Sequence, residues 1–109
     1  EMKHGPIALL DKNVPVVIVA PFDDLFEKTA SNLQEVIARG APVIVLTDNK
    51  GAQHLRSLKV DLLILPQTTS LTAPITYAVA LQLLAYHTAL FKGTDVDQPR
   101  NLAKSVTVE

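Results

Sequence analysis

Three short runs, Val16 to Ala20 (VVIVA), Val43 to Thr47 (VIVLT) and Leu62 to Leu65 (LLIL), are unbroken by polar residues and rich in β-branched side chains. That pattern predicts strands buried on both faces of a parallel sheet. Between the first two lies Asp23 to Arg39, where Leu25, Phe26, Thr29, Ala30, Leu33, Val36 and Ile37 recur at helical spacing. Glu27, Lys28, Gln34 and Glu35 fall largely on the opposite side, so this is an amphipathic helix. Asp24 and Glu27 are placed to share a capping box at its start, and Gly40 supplies the stop. Strand, helix and strand form a βαβ unit with a right-handed crossover. Asp48-Asn49-Lys50-Gly51 reads as a turn, followed by a short helix over Ala52 to Leu58 that leads to the third strand.

The last helix is expected over Thr72 to Lys92, with Pro74 near its first turn and Gly93 just past its end, the asymmetry that helix termini favour. Its apolar residues surround the axis instead of forming a stripe, so it needs cover on more than one side. Three strands and one amphipathic helix supply a single covering surface. The remainder is expected from upstream segments or another subunit. Ala73 to Phe91 has the length of a membrane span, but Thr76, Tyr77, Gln82, His87 and Thr88 interrupt it, and a buried helix of a soluble protein is the better reading.

At 109 residues, with 48% hydrophobic residues, the chain has the length of one domain and the means to bury a core. A net charge of −1 and a pI near 6.3 leave no basic stripe, which argues against nucleic acid as a partner. The absence of cysteine excludes a disulfide framework, a thiolate nucleophile and a zinc knuckle, and fits the cytoplasm. The amino end, EMKHGPIALLD, carries neither an initiator methionine at position 1 nor a signal sequence. The chain is therefore expected to be the carboxyl-terminal piece of a longer polypeptide.

Two positions carry candidate chemistry. In the polar tail DVDQPRNLAKSVTVE, Lys104 is held between Leu102, Ala103 and Val106. Partial desolvation there would lower its pKa and free the amine to attack a carbonyl. An ordinary solvated lysine near a chain end fits the residue types equally. His4 precedes Gly5-Pro6, where a short helix over Ile7 to Leu10 could start. A histidine fixed by a stiff turn beside a helix N-terminus would favour the neutral, proton-accepting form suited to ring opening, although residue types alone favour a plain turn histidine. His54 reads as a surface histidine and His87 as a core one, with no metal-ligand spacing.

Asp23, Asp24 and Asp48 after successive strands raise the possibility of a phosphoacceptor receiver. It fails because Pro21-Phe22 separate the acidic pair from its strand, Asp24 serves better as a cap, and no lysine follows the last strand. No GxGxxG, GxxxxGK[ST] or GxSxG occurs. Asp95 and Asp97 suggest a loop salt bridge with Arg100 more than a cation site, and neither a metal nor a cofactor is expected.

EMKHGPIALLD, QLLAYHTALFKGTDVDQPRNLAKSVTVE and the strand pattern between them resemble the carboxyl terminus of the glucosamine-6-phosphate synthase family, the isomerizing glutamine-fructose-6-phosphate aminotransferases. The resemblance implies an α/β fold, part of an α/β/α sandwich around a parallel sheet. Residues 1–93 would be the later portion of the second sugar isomerase (SIS) domain and residues 94–109 its active-site tail. It implies conversion of fructose 6-phosphate and glutamine-derived ammonia to glucosamine 6-phosphate, feeding UDP-N-acetylglucosamine synthesis in a cytoplasmic homodimer.

By the same resemblance Lys104 forms a Schiff base with the open-chain sugar. His4 helps to open the ring and, in family dimers, reaches the neighbouring subunit's site. Ala103 contacts substrate through its backbone, and Arg100 and Asn101 shape the tail. The family's catalytic glutamate, the phosphate pocket of the first SIS domain and the glutaminase cysteine lie upstream of Glu1, and Glu1 itself matches a position that is not the catalytic acid. The fragment alone is therefore expected to be inactive. The alternative is a SIS-type module that binds a phosphorylated sugar for regulation and performs no chemistry.

Overall fold

A computed structural model describes residues 2–98. Contacts divide the chain after Tyr77 into two units. The first opens with two 3₁₀ turns, Met2–His4 and Pro6–Leu9, and continues through β1 (Val16–Val19), α1 (Phe26–Ala38), β2 (Val43–Thr47), α2 (Asn49–Leu55) and β3 (Asp61–Ile64). The strands form one parallel sheet in the order β1-β2-β3, with Val16 opposite Val43 and Ile44 opposite Asp61. The expected α/β chain with three parallel strands is what forms. α1 and α2 are the crossovers that parallel neighbours require.

The core lies where α1 meets the sheet. Phe26, Leu33 and Val36 of α1 pack with Ala20, Ala41, Val43, Val45 and Leu55, flanked by Val16, Ile18 and Leu62. Leu33 and Val36 are 1% and 0% exposed, and full burial of such side chains contributes about 1.5–3 kcal/mol each. Burial on both faces, expected of all three strands, holds for the central β2. On β1, Val16 and Ile18 are half-buried while Val17 and Val19 are exposed, and on β3 Leu63 and Ile64 are exposed. β1 alternates between half-buried and exposed positions, whereas on β3 Leu62 alone is half-buried, because these two strands are covered less completely than the central one.

Two start signals differ from expectation. α1 begins at Phe26 with no side-chain cap. Asp23, in place of Asp24, organises the entry, its Oδ1 accepting the Leu25 N–H at 2.9 Å. α2 begins at Asn49, inside the stretch that reads as a turn, because Asp48 caps it.

α3 (Ala73–Phe91) starts in the first unit and runs into the second. Tyr77 is its one buried residue among those described. Ile75, Val79, Leu83, Leu90 and Phe91 are exposed, so the helix that reads as a buried one lies almost bare among the described residues, its all-round apolar surface having no layer against it there. By length and composition it could cross a membrane, a property that core helices of soluble proteins share. At its end the Thr94 N–H and Oγ1 both bond to the Ala89 carbonyl, at 3.0 and 2.9 Å.

Candidate active site

The Lys3-His4-Gly5-Pro6 turn is built from its residues upward. Pro6 occupies the first position of the second 3₁₀ turn, where its fixed φ fits and its missing N–H costs nothing. Gly5 has φ 151° and ψ −54°, a backbone that side chains with a Cβ rarely adopt. Lys3 Nζ pairs with Glu35 Oε1 at 2.7 Å, which fixes the turn to α1, and Met2 packs against the core. A half-exposed pair of this kind contributes at most about 1 kcal/mol, so it orients more than it stabilises. His4 is thus exposed on an anchored, conformationally restricted turn. The helix expected behind it is one four-residue 3₁₀ turn, too short to build an aligned dipole.

Lys104, Ala103, Arg100 and Asn101 lie outside the described residues, as does Glu1. Of the sequence-derived site residues, His4 is the one that lies among the described residues.

The densest polar cluster sits at the carboxyl edge of the sheet. Asp48 Oδ1 accepts the backbone N–H groups of Lys50 and Gly51 at 2.9 and 3.1 Å, and Oδ2 accepts that of Phe22 at 2.9 Å. Burial alone would push the Asp48 pKa up. The three N–H donors and the nearby Lys50 charge override it and hold the carboxyl below its usual value. Thr47 Oγ1, fully buried, donates to the Ala20 carbonyl at 2.6 Å and so locks β1 to β2. Gly51 completes the packing, since a Cβ there would overlap Thr47 Oγ1 and lie 2.9 Å from Phe26 Cε2.

Tyr77 on α3 lies within electrostatic reach of Asp48 and Asp23. It is 3% exposed, and its hydroxyl has no hydrogen-bond partner among the described residues. Burial, then the charges of Asp48 and Asp23, push its pKa up to about 12. Asp48 is structural here, which removes the acidic pocket on which a receiver would depend. Thr47, Gly51 and Tyr77 carried no signal in sequence. Asp48 did, as an N-cap residue directly after a strand.

His54 is exposed on α2, as expected, with its ring 4.8 Å from that of Phe22 and 5.8 Å from that of Phe26. Its Nδ1 lies 2.9 Å from the Lys50 carbonyl oxygen. His87, expected in a core, is exposed and packs edge-on against Tyr86 at 5.4 Å. The reason is the bare surface of α3 itself. Asp95 Oδ1 accepts the N–H groups of Asp97 and Gln98, so this carboxylate organises a turn, while Arg100 is outside the described residues. No cluster suited to a metal ion occurs among the described residues. A depression of about 320 Å³ at the amino edge of β2 and β3 is lined by Pro42, Val43, Leu58, Lys59, Val60 and Asp61 and contains none of the site residues.

A family model described as "SIS domain" matches residues 1–92. Over all 109 residues the chain is 59% identical to a glutamine--fructose-6-phosphate aminotransferase [isomerizing] of Agrobacterium fabrum (strain C58) and 58% identical to one of Mesorhizobium japonicum. In both cases it spans 18% of the relative's length. Among solved structures it is similar to the C-terminal domain of glucosamine-fructose-6-phosphate aminotransferase from Francisella tularensis. The TM-score there is 0.83 with 47% sequence identity, covering 88% of this chain and 27% of that one.

Proposed function

Because the chain belongs to the SIS domain family, we propose that it is the carboxyl-terminal part of an isomerizing glutamine-fructose-6-phosphate aminotransferase. The observation that carries this reading is the unbroken similarity, at 58–59% identity, to proteins of that name through every residue from Glu1 to Glu109. The complete protein would combine fructose 6-phosphate with ammonia to give glucosamine 6-phosphate and water. In this reading α3 is a core helix covered by the rest of the protein and not by lipid, and the protein is a cytoplasmic homodimer.

Within that enzyme Lys104 is the covalent catalyst. Its neutral Nζ adds to the keto carbon of the open-chain sugar, and loss of water leaves a Schiff base. Lysine suits this step because its amine can lose a proton near neutral pH, whereas a guanidinium stays charged. His4 moves the proton that opens the sugar ring, and the neighbouring Pro6 and the Lys3–Glu35 pair support that role by limiting where the imidazole is presented. Ala103 offers backbone groups to the substrate, and Arg100 and Asn101 shape the tail. The proton shift between the first two sugar carbons belongs to a glutamate upstream of Glu1, so residues 1–109 alone should form no glucosamine 6-phosphate.

The test is Lys104→Arg in the full-length protein, which keeps the charge and removes the capacity for an imine. Turnover should vanish, and borohydride with fructose 6-phosphate should label the wild type and not the variant. Undiminished turnover would favour a phosphosugar-binding regulatory module instead. His4→Ala should lower kcat by about 10²–10⁴ while leaving borohydride labelling by the open-chain sugar detectable.

A further inference from the structure

His4 is tethered more firmly on one side than on the other. After it, Gly5 holds φ 151° but lacks the Cβ that would confine it there, so Pro6 alone does not fix where the imidazole points. Before it, Met2 packs against the core, and Lys3 Nζ meets Glu35 Oε1 at 2.7 Å. Met2, Lys3 and His4 form a single three-residue 3₁₀ turn. One apolar anchor lets such a turn pivot about it, and a second contact at the adjacent residue removes the pivot. Glu35 offers that contact from a firm base, because Leu33 and Val36 beside it on α1 are 1% and 0% exposed.

Stability does not explain a carboxylate at this position. Glu35 stands in the last turn of α1, which contains no basic residue, and a helix dipole disfavours an anion there. With the Lys3 and Glu35 side chains 66% and 33% exposed, the pair is screened by solvent and returns little. A residue that works against its own helix points to a use elsewhere, and its partner Lys3 adjoins His4. We propose that Glu35 is a positioning residue for sugar ring opening, holding the His4 turn in place through Lys3. This role rests on the aminotransferase reading given above. In ring opening the anomeric hydroxyl loses its proton, the bond from that carbon to the ring oxygen breaks, and the ring oxygen gains a proton. His4 carries the proton, and Glu35 acts only on where His4 stands.

Single-turnover trapping in the full-length protein tests this. Borohydride captures the imine formed from fructose 6-phosphate and, in parallel, from its 5-deoxy analogue, which lacks the hydroxyl that closes the ring and is always open. Glu35→Gln keeps the size and removes the charge. It should slow imine formation from fructose 6-phosphate about two- to fivefold and leave the rate with the analogue unchanged. Lys3→Gln should do the same, and the double variant should be no slower than either single one. An unchanged rate in Glu35→Gln with fructose 6-phosphate would overturn the proposal, as would equal slowing with both substrates or multiplicative effects in the double variant. His4→Ala separates that failure from failure of the underlying reading, since it should slow imine formation from fructose 6-phosphate and spare the analogue. If it does so while Glu35→Gln does not, the role of Glu35 alone falls. If His4→Ala spares both substrates, or the wild type forms no imine, the reading of the site falls and the role of Glu35 with it.

Discussion

α1 and α3 are both regular helices rich in apolar residues, yet they meet their surroundings in opposite ways. α1 spaces its apolar residues along one stripe, and the sheet covers that stripe: Phe26, Leu33 and Val36 are buried while Glu27, Lys28 and Gln34 stay in water. α3 is apolar all round, and among the described residues it buries Tyr77 alone. The stripe of α1 matches a surface this chain provides. The girdle of α3 matches surfaces that the proposed full-length enzyme would provide. A hydrophobic pattern therefore records the complete environment in which a helix works, and the width of its apolar face states how many sides that environment has.

Substitutions can break this comparison at its strong end first. Leu33→Ala deletes a side chain that is 1% exposed at the centre of the α1–sheet contact. It should cost about 2–5 kcal/mol through lost transfer energy and the cavity left behind. A loss below about 1 kcal/mol, read from urea unfolding as the midpoint shift multiplied by the slope m, would mean that α1 is not the core helix described. Gly51→Ala should cost about 1–3 kcal/mol through overpacking against Thr47 and Phe26. This loss would appear despite the gain of about 1 kcal/mol that alanine brings to a helix interior, so the sign of the measured change decides whether the contact is as tight as it looks.

Gly51 also marks where sequence reading stops. Asn49-Lys50-Gly51 reads as a turn because Asn49 and Gly51 are poor helix formers that favour turns. The helix runs through them because Asp48 satisfies its first N–H groups and only a glycine fits beneath Thr47. That requirement is tertiary and leaves no periodicity. β2 was legible to the residue because a strand buried on both faces has no alternation to confuse, whereas β3 begins one residue early at Asp61, a charged position at the exposed flank. The shape of the His4 turn was legible from Gly5-Pro6, since proline fixes its own φ and glycine alone readily adopts the φ of 151° found before it. The exposed His87 was misread because its surroundings on α3 are apolar in sequence but uncovered in this structure. The tail residues Lys104, Ala103, Arg100 and Asn101 rest on family resemblance.

Asp48 gives a smaller effect with a distinctive pH signature. Asp48→Ala should cost about 1–2 kcal/mol, the usual loss for a helix N-cap, and should also release the Phe22 N–H. The folded-state pKa of Asp48 is depressed, so its contribution is present above the unfolded value near 3.9 and is lost as pH falls through the folded value. Wild-type stability should therefore decline more steeply than that of Asp48→Ala below about pH 4. Parallel curves in acid would show that the cap does not depend on the charge. Tyr77 works in the opposite direction. Its pKa is raised to about 12, so the stability it confers is complete below an unfolded value near 10 and is lost as pH rises toward 12.

The smallest effect is expected at Phe91, 93% exposed on α3. In the 109-residue chain, Phe91→Ser removes almost no buried area, so stability should stay within about 0.5 kcal/mol of the parent. The same should hold for Ile75→Ser, at 68% exposure. A Leu33→Ala control in the same preparation separates an insensitive site from an insensitive assay. If Phe91→Ser costs more than about 1 kcal/mol and the loss grows with protein concentration, α3 is already covered in solution by a second copy of the chain. Its girdle would then be met in the isolated chain as the stripe of α1 is, and the contrast between the two helices would belong to the monomer alone.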